Sequence, residues 1–145
     1  ICPRNILLDT DYHIKLIDFG LVVPNTPPFQ QPGNRTGTAL YMAPELMKRK
    51  KTDQRIDIFS YSMTCFEVYA KRLPWETGGQ TIDMMQQRIN SSAADIREFV
   101  PEIDEDLAET IMRGLESDPD SRWSSIAQMV ARFRDARERL EGVRE

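Results

Sequence analysis

Apolar positions come in short runs near the start of this chain and at helical spacing over most of the rest. Asn5-Ile6-Leu7-Leu8-Asp9 and Ile14-Lys15-Leu16-Ile17 are aliphatic runs, and Thr10-Asp11-Tyr12-His13 between them has the composition of a turn. That arrangement predicts a small β-hairpin. Residues 55 to 70 are apolar nearly all round, through Ile56, Ile58, Phe59, Tyr61, Met63, Cys65, Phe66 and Val68, which predicts a helix buried at the centre of its domain. Leu73-Pro74-Trp75 ends it and Gly78-Gly79 supplies a flexible join. Residues 82 to 89 predict a second helix with Met84, Met85 and Ile89 on one side. Leu107, Ile111, Met112 and Leu115 mark a third, begun by acidic residues that suit the positive end of a helix. After the turn Asp118-Pro119-Asp120-Ser121, Ser125-x-x-Gln128 resembles a capping box for a last helix that turns Ile126, Met129, Val130 and Phe133 inward. Beyond Arg134, the charged stretch through Arg137, Glu138 and Arg139 reads as a solvated helix end.

Residues 21 to 36 break this order. They hold four of the nine prolines, Pro24, Pro27, Pro28 and Pro32, so they read as an irregular loop. The predicted fold is therefore mainly α with a small β-hairpin. No internal repeat divides the chain.

With 145 residues, 40% of them hydrophobic and 29% charged, the chain has the composition of one soluble globular domain. A net charge of -4 argues against a dominant nucleic-acid surface. Lys48-Arg49-Lys50-Lys51 is the one basic run; a solvated loop between two helices explains it better than an acidic partner does. Cys2 and Cys65 lack metal-ligand spacing and read as reduced thiols of a cytoplasmic, intracellular protein. No apolar stretch reaches the ~18 residues of a membrane span, and the first residues carry no signal-peptide pattern. Membrane attachment elsewhere in a parent protein stays open. His13 sits in the predicted surface turn.

Three motifs in fixed order change the picture from a helical domain to a chemical one: Asn5, then Asp18-Phe19-Gly20, then Gly37-Thr38-x-x-Tyr41-Met42-Ala43-Pro44-Glu45. An Asp at a strand end followed by Phe-Gly projects a carboxylate where the backbone turns sharply, a geometry suited to a metal ligand. Far downstream stands Asp118-Pro119-Asp120-Ser121-Arg122. In combination these resemble the C-terminal lobe of a eukaryotic protein kinase, of the Ser/Thr or tyrosine-kinase-like group, from inside the catalytic loop onwards. The resemblance covers residues 1 to 136, with 137 to 145 as a charged helix end or tail. It implies the helical part of an α+β two-lobed fold.

That resemblance also implies a reaction, the transfer of the ATP γ-phosphate to Ser or Thr of a protein substrate. Phosphoryl transfer needs divalent metal to neutralise the phosphates, so ATP and Mg²⁺ are the implied cofactors. By the same resemblance Asp18 and Asn5 would ligate the metal, and Leu7 would lie under the adenine ring. Thr38 would hydrogen-bond the catalytic base and shape the pocket beside the acceptor residue. Phe19 and Gly20 would seat the metal-binding segment, and Glu45 would pair with Arg122. Asp57 would be a buried carboxylate that holds the catalytic loop through backbone N–H groups. For Leu7, Phe19 and Asp57 the residues alone also permit plain structural roles.

The family's His-Arg-Asp would end immediately before Ile1, so the catalytic Asp would precede residue 1 and this stretch alone would be inactive. The helices that pack on the central one would precede it too, leaving apolar surface open. Ser/Thr kinases carry Lys two residues after the catalytic Asp, where this chain has Cys2. Ile1-Cys2-Pro3-Arg4-Asn5 instead looks like the tyrosine-kinase pattern, in which Arg4 supplies the charge to the phosphate. The competing reading is a pseudokinase or a non-catalytic binding or scaffold module. Thr36, just ahead of Gly37, is the leading candidate phosphosite in the loop, with Thr26 and Tyr41 behind it.

Overall fold

The computed structural model describes residues 1–17, 26, 39–75 and 81–144. Its centre is the helix Arg55–Ala70. In chain order the elements are β1 (Ile6–Leu8), β2 (Ile14–Leu16), α1 (Pro44–Met47), α2 (Arg55–Ala70), α3 (Thr81–Asn90), α4 (Glu105–Gly114) and α5 (Ile126–Arg144). The described residues are mostly helical with one two-stranded antiparallel sheet, in which Ile6 pairs with Leu16, Leu7 with Lys15 and Leu8 with Ile14.

Each element has a local cause. The Asp9 carboxylate accepts the N–H groups of Asp11 and His13, at 2.9 and 2.8 Å, which folds the hairpin turn. Tyr12 takes a left-handed φ of 64° there. Pro44 starts α1, where its missing N–H costs nothing. Asp53 accepts the N–H of Arg55 at the entry to α2, and Lys71 closes that helix in the left-handed region at φ 59°. Asp104 caps α4 by accepting from Asp106 and Leu107. Ser125 accepts the Gln128 N–H, but the reciprocal bond goes elsewhere: the Gln128 amide oxygen accepts from Ser124 rather than Ser125.

The main core joins α2 to α4 through Phe59, Met63, Phe66, Ala108 and Ile111, with Trp75, Ile96 and Ala43 closing it. A second cluster, Ile58, Trp123 and Met129, fixes α5. Trp123 donates its indole N–H to the Thr110 carbonyl at 2.9 Å, so the ring locks α4 to the chain leading into α5. Gly114 lets α2 and α4 approach closely: a Cβ there would collide with the Ser62 hydroxyl and lie 2.8 Å from its Cβ.

Two sequence expectations change. Ile126 is exposed rather than inward, while Ala136, in the stretch read as solvated, is buried. The reason is that α5 runs on to Arg144, and Arg139 is tied back to Asp104 and Asp106 at 2.7 and 2.9 Å. The central helix is also open along one side, at Asp57, Val68 and Tyr69. Lys48, Arg49, Lys50 and Lys51 lie on the loop between α1 and α2, all four exposed. Among the described residues no helix is long and apolar enough to cross a membrane.

Candidate active site

The candidate residues lie on two parts of the described chain, the hairpin and the segment around α1. Pro3–Asn5 forms a single 3-10 turn before β1. It leaves Arg4 exposed and Asn5 half-buried. The Asn5 carbonyl accepts the N–H of Ile17 at 2.8 Å, so Asn5 is held beside the residue that follows the second strand. Asp18, Phe19, Gly20, Thr36 and Thr38 lie outside the described residues. Thr26 is exposed. Leu7, paired with Lys15, is 50% exposed, so it is not part of the packed core. Its apolar surface is open to a ligand.

Asp57 departs from the sequence expectation. Although apolar neighbours in sequence suggest burial, it is exposed in the first turn of α2, and among the described residues its carboxylate accepts no hydrogen bond. Neighbouring protein still strips enough water from the carboxyl to raise its pKa. The physical reason for its exposure is its place on the open side of α2. Burial along that helix follows what packs against each side, not how apolar the run is as a whole.

Glu45 and Arg122 meet across 77 positions. Two guanidinium nitrogens of Arg122 donate to the two carboxylate oxygens at 2.6 and 2.8 Å, a bidentate fork with both side chains buried. The remaining N–H groups donate to the carbonyls of Glu116 (2.7 Å), Arg55 (3.1 Å) and Ser117 (3.3 Å). The guanidinium also lies over the Phe59 ring, 5.0 Å from its centroid. Burying this pair is tolerable because all five donors of the guanidinium are engaged. The result is an anchor that holds the Ala43-Pro44-Glu45 corner against α2.

Two further contacts fasten the same segment. The Tyr41 hydroxyl donates to the Glu67 carboxylate at 2.6 Å. Burial, that hydrogen bond and the charge of Glu67 together raise the Tyr41 phenol well above the usual tyrosine range. The ring is thereby engaged as a donor, which disfavours it as a phosphate acceptor. On the other side, buried Arg88 from α3 donates to the Met42 carbonyl at 3.4 Å. Neither pairing is legible in the sequence. The Glu67 carboxylate inside the apolar run of α2, and a cation on the apolar side of α3 between Met84 and Ile89, are the signals that point to them.

The two thiols are free. Cys2 is buried. Burial pushes the Cys65 thiol up to about 11, against the opposing effect of a hydrogen bond with Tyr61, so it stays protonated and weakly reactive near neutral pH.

Comparison with known proteins bears on this arrangement directly. Residues 1–133 match the family described as Protein kinase domain. The chain belongs to the protein kinase family. Among curated relatives, rhodopsin kinase of Rattus norvegicus is 32% identical over 122 residues, covering 83% of this chain and 21% of the relative. Serine/threonine-protein kinase ULK3 of Rattus norvegicus is 30% identical over 124 residues, covering 84% of the chain and 26% of the relative. Serine/threonine-protein kinase VIK of Arabidopsis thaliana is 29% identical, covering 99% of the chain and 32% of the relative. This kinase chain thus spans between a fifth and a third of the length of these relatives.

Proposed function

We propose that this chain forms the helical lobe of a kinase domain that transfers the ATP γ-phosphate to Ser or Thr hydroxyls of protein substrates in the cytoplasm. The observation that carries the reading is the buried fork between Glu45 and Arg122. It gives residues 39 to 47 a fixed backbone against α2, as a peptide-docking segment requires. The bond between the Asn5 carbonyl and Ile17 supports it further, since it keeps Asn5 beside the strand that leads into Asp18.

On this reading Asn5 and Asp18 hold Mg²⁺, Leu7 offers its open apolar surface to the adenine, and exposed Arg4 faces the transferred phosphate. Asn5 fits such a role, being half-buried with a side-chain oxygen to offer. Bound Mg²⁺ supplies charge neutralisation of the phosphates. Arg4 adds a guanidinium that can fork to phosphate oxygens. Thr38 and Glu45 order the docking segment, and Thr36 is the switch residue.

A non-catalytic reading has one observation in its favour: Cys2 stands where Ser/Thr kinases carry Lys, and it is buried. Phosphate transfer to Ser/Thr peptides by the complete protein that carries this chain decides between the two. Activity that Asp18→Asn abolishes supports the catalytic assignment. ATP binding with no transfer supports the pseudokinase.

A further inference from the structure

Arg88 stands where the pattern of α3 calls for an aliphatic residue. It lies one turn beyond Met84 and next to Ile89, and it is 2% exposed. Burial pushes its guanidinium pKa down to about 10, so the site works against the charge. An aliphatic side chain would fill the same space without that conflict. What the arginine adds is polar and directional. Its guanidinium lies over the Trp75 indole, 5.2 Å from the ring centroid, and donates to the Met42 carbonyl at 3.4 Å.

Trp75 is itself fixed. Its N–H donates to the carbonyl and hydroxyl of Ser91 just past the end of α3, and its ring stacks on Phe59 in the core. Through α3, Arg88 therefore reaches from a rigid platform to the one peptide unit between Tyr41 and the Ala43-Pro44 corner. The helix packs against both sides of that unit, the 3-10 turn Ala39–Tyr41 and α1. Tyr41 is fastened to α2 by Glu67 and Glu45 by Arg122, so Met42 is the point at which α3 can set the segment's backbone.

We propose that Arg88 is a positioning residue for the protein substrate: seated between Trp75 and the Met42 carbonyl, it sets the backbone of residues 39 to 43 on which the acceptor peptide rests. The peptide's part in this rests on the kinase reading and the backbone's part does not, and two measurements separate them. In the first, hydrogen exchange of the complete protein is compared with its Arg88→Met variant, which keeps an unbranched apolar stem and removes the charge. Amides of residues 39 to 47 exchange about tenfold faster in the variant, while those of α4 are unchanged. Unchanged protection in residues 39 to 47 overturns the proposal whether or not the protein is active.

In the second, steady-state kinetics show KM for the peptide raised about tenfold in Arg88→Met, with kcat and KM for ATP within about twofold. Arg88→Lys, which retains a donor for Met42, recovers part of the loss. An unchanged peptide KM, or a fall in kcat alone, overturns the substrate role. A wild-type protein that transfers no phosphate refutes the kinase reading, and the exchange experiment still decides whether Arg88 holds the segment. If Arg88→Met does not fold, the Arg88→Lys variant carries both measurements, with smaller effects of the same sign.

Discussion

The hairpin and the helical body of this kinase chain put the same residue types to opposite use. Leu7, Leu8, Ile14 and Leu16 are 50%, 60%, 68% and 48% exposed, whereas Met63, Phe66, Ile111 and Met129 are all 0% exposed. Among the described residues, two strands of three residues pair only with each other, and their side chains stand off a sheet too small to enclose them. The helix α2 is gripped by α4, by the segment ahead of α1, and by aromatic residues after its own end. Stability thus resides in the body. The hairpin presents open apolar and polar groups next to Asn5, an arrangement better suited to meeting a ligand than to building a core.

The sharpest break of this contrast falls at the anchor. Glu45→Ala leaves the Arg122 guanidinium buried with its charge uncompensated, so unfolding in urea should show a loss of about 3–5 kcal/mol. A double variant that also removes Arg122 recovers only part of this, because the carbonyls of Glu116, Arg55 and Ser117 lose their donor too. Full recovery would mean that the pair, and not the network, carries the effect. Gly114→Ala is next. Alanine usually favours a helix over glycine, but here the new Cβ meets Ser62, so the change should cost about 1–3 kcal/mol by the same measurement.

How far these features can be read from the residues differs between the same two regions. The span of α2 and the pairing strands of the hairpin are set by periodicity and turn composition, because both signals are local. The depth of burial is not local. Asp57 and Leu7 sit among apolar neighbours yet are exposed, and Arg88 is charged yet buried, since each outcome depends on what another element brings alongside. Glu45 and Arg122 can be matched over a long separation only through motifs, and nothing in periodicity joins them. The reach of α5 to Arg144 escapes the pattern because its support is tertiary, from Asp104 and Asp106 at the start of α4.

A smaller effect tests whether the segment ahead of α1 belongs to the body. The Tyr41 phenol has its pKa raised in the folded state above the ordinary value of 10.0. A group shifted that way contributes stability that is complete below the unfolded pKa and is lost as pH climbs toward the folded one. Stability of the wild type should therefore fall more steeply above pH 10 than that of Tyr41→Phe. Near neutral pH, Tyr41→Phe should cost about 1–2 kcal/mol, since Glu67 loses its donor. Parallel pH curves for the two proteins would place Tyr41 outside the cooperative unit.

The smallest effect, at residue 14, gives the most direct test of the contrast when it is set against the same substitution at residue 111. At residue 111, replacement of Ile by Ala opens a cavity between α2 and α4, and the usual cost of such a cavity is about 2–5 kcal/mol. At residue 14 the same replacement removes a side chain that is largely exposed, with solvent ready to fill the space. Its effect on the urea midpoint should correspond to no more than about 0.5 kcal/mol. Because Ile14→Ala also trims the exposed apolar face, it should reduce self-association, read by light scattering at rising concentration. A cost at residue 14 approaching that at residue 111 would show that the hairpin face is packed in solution, and that the chain closes over it.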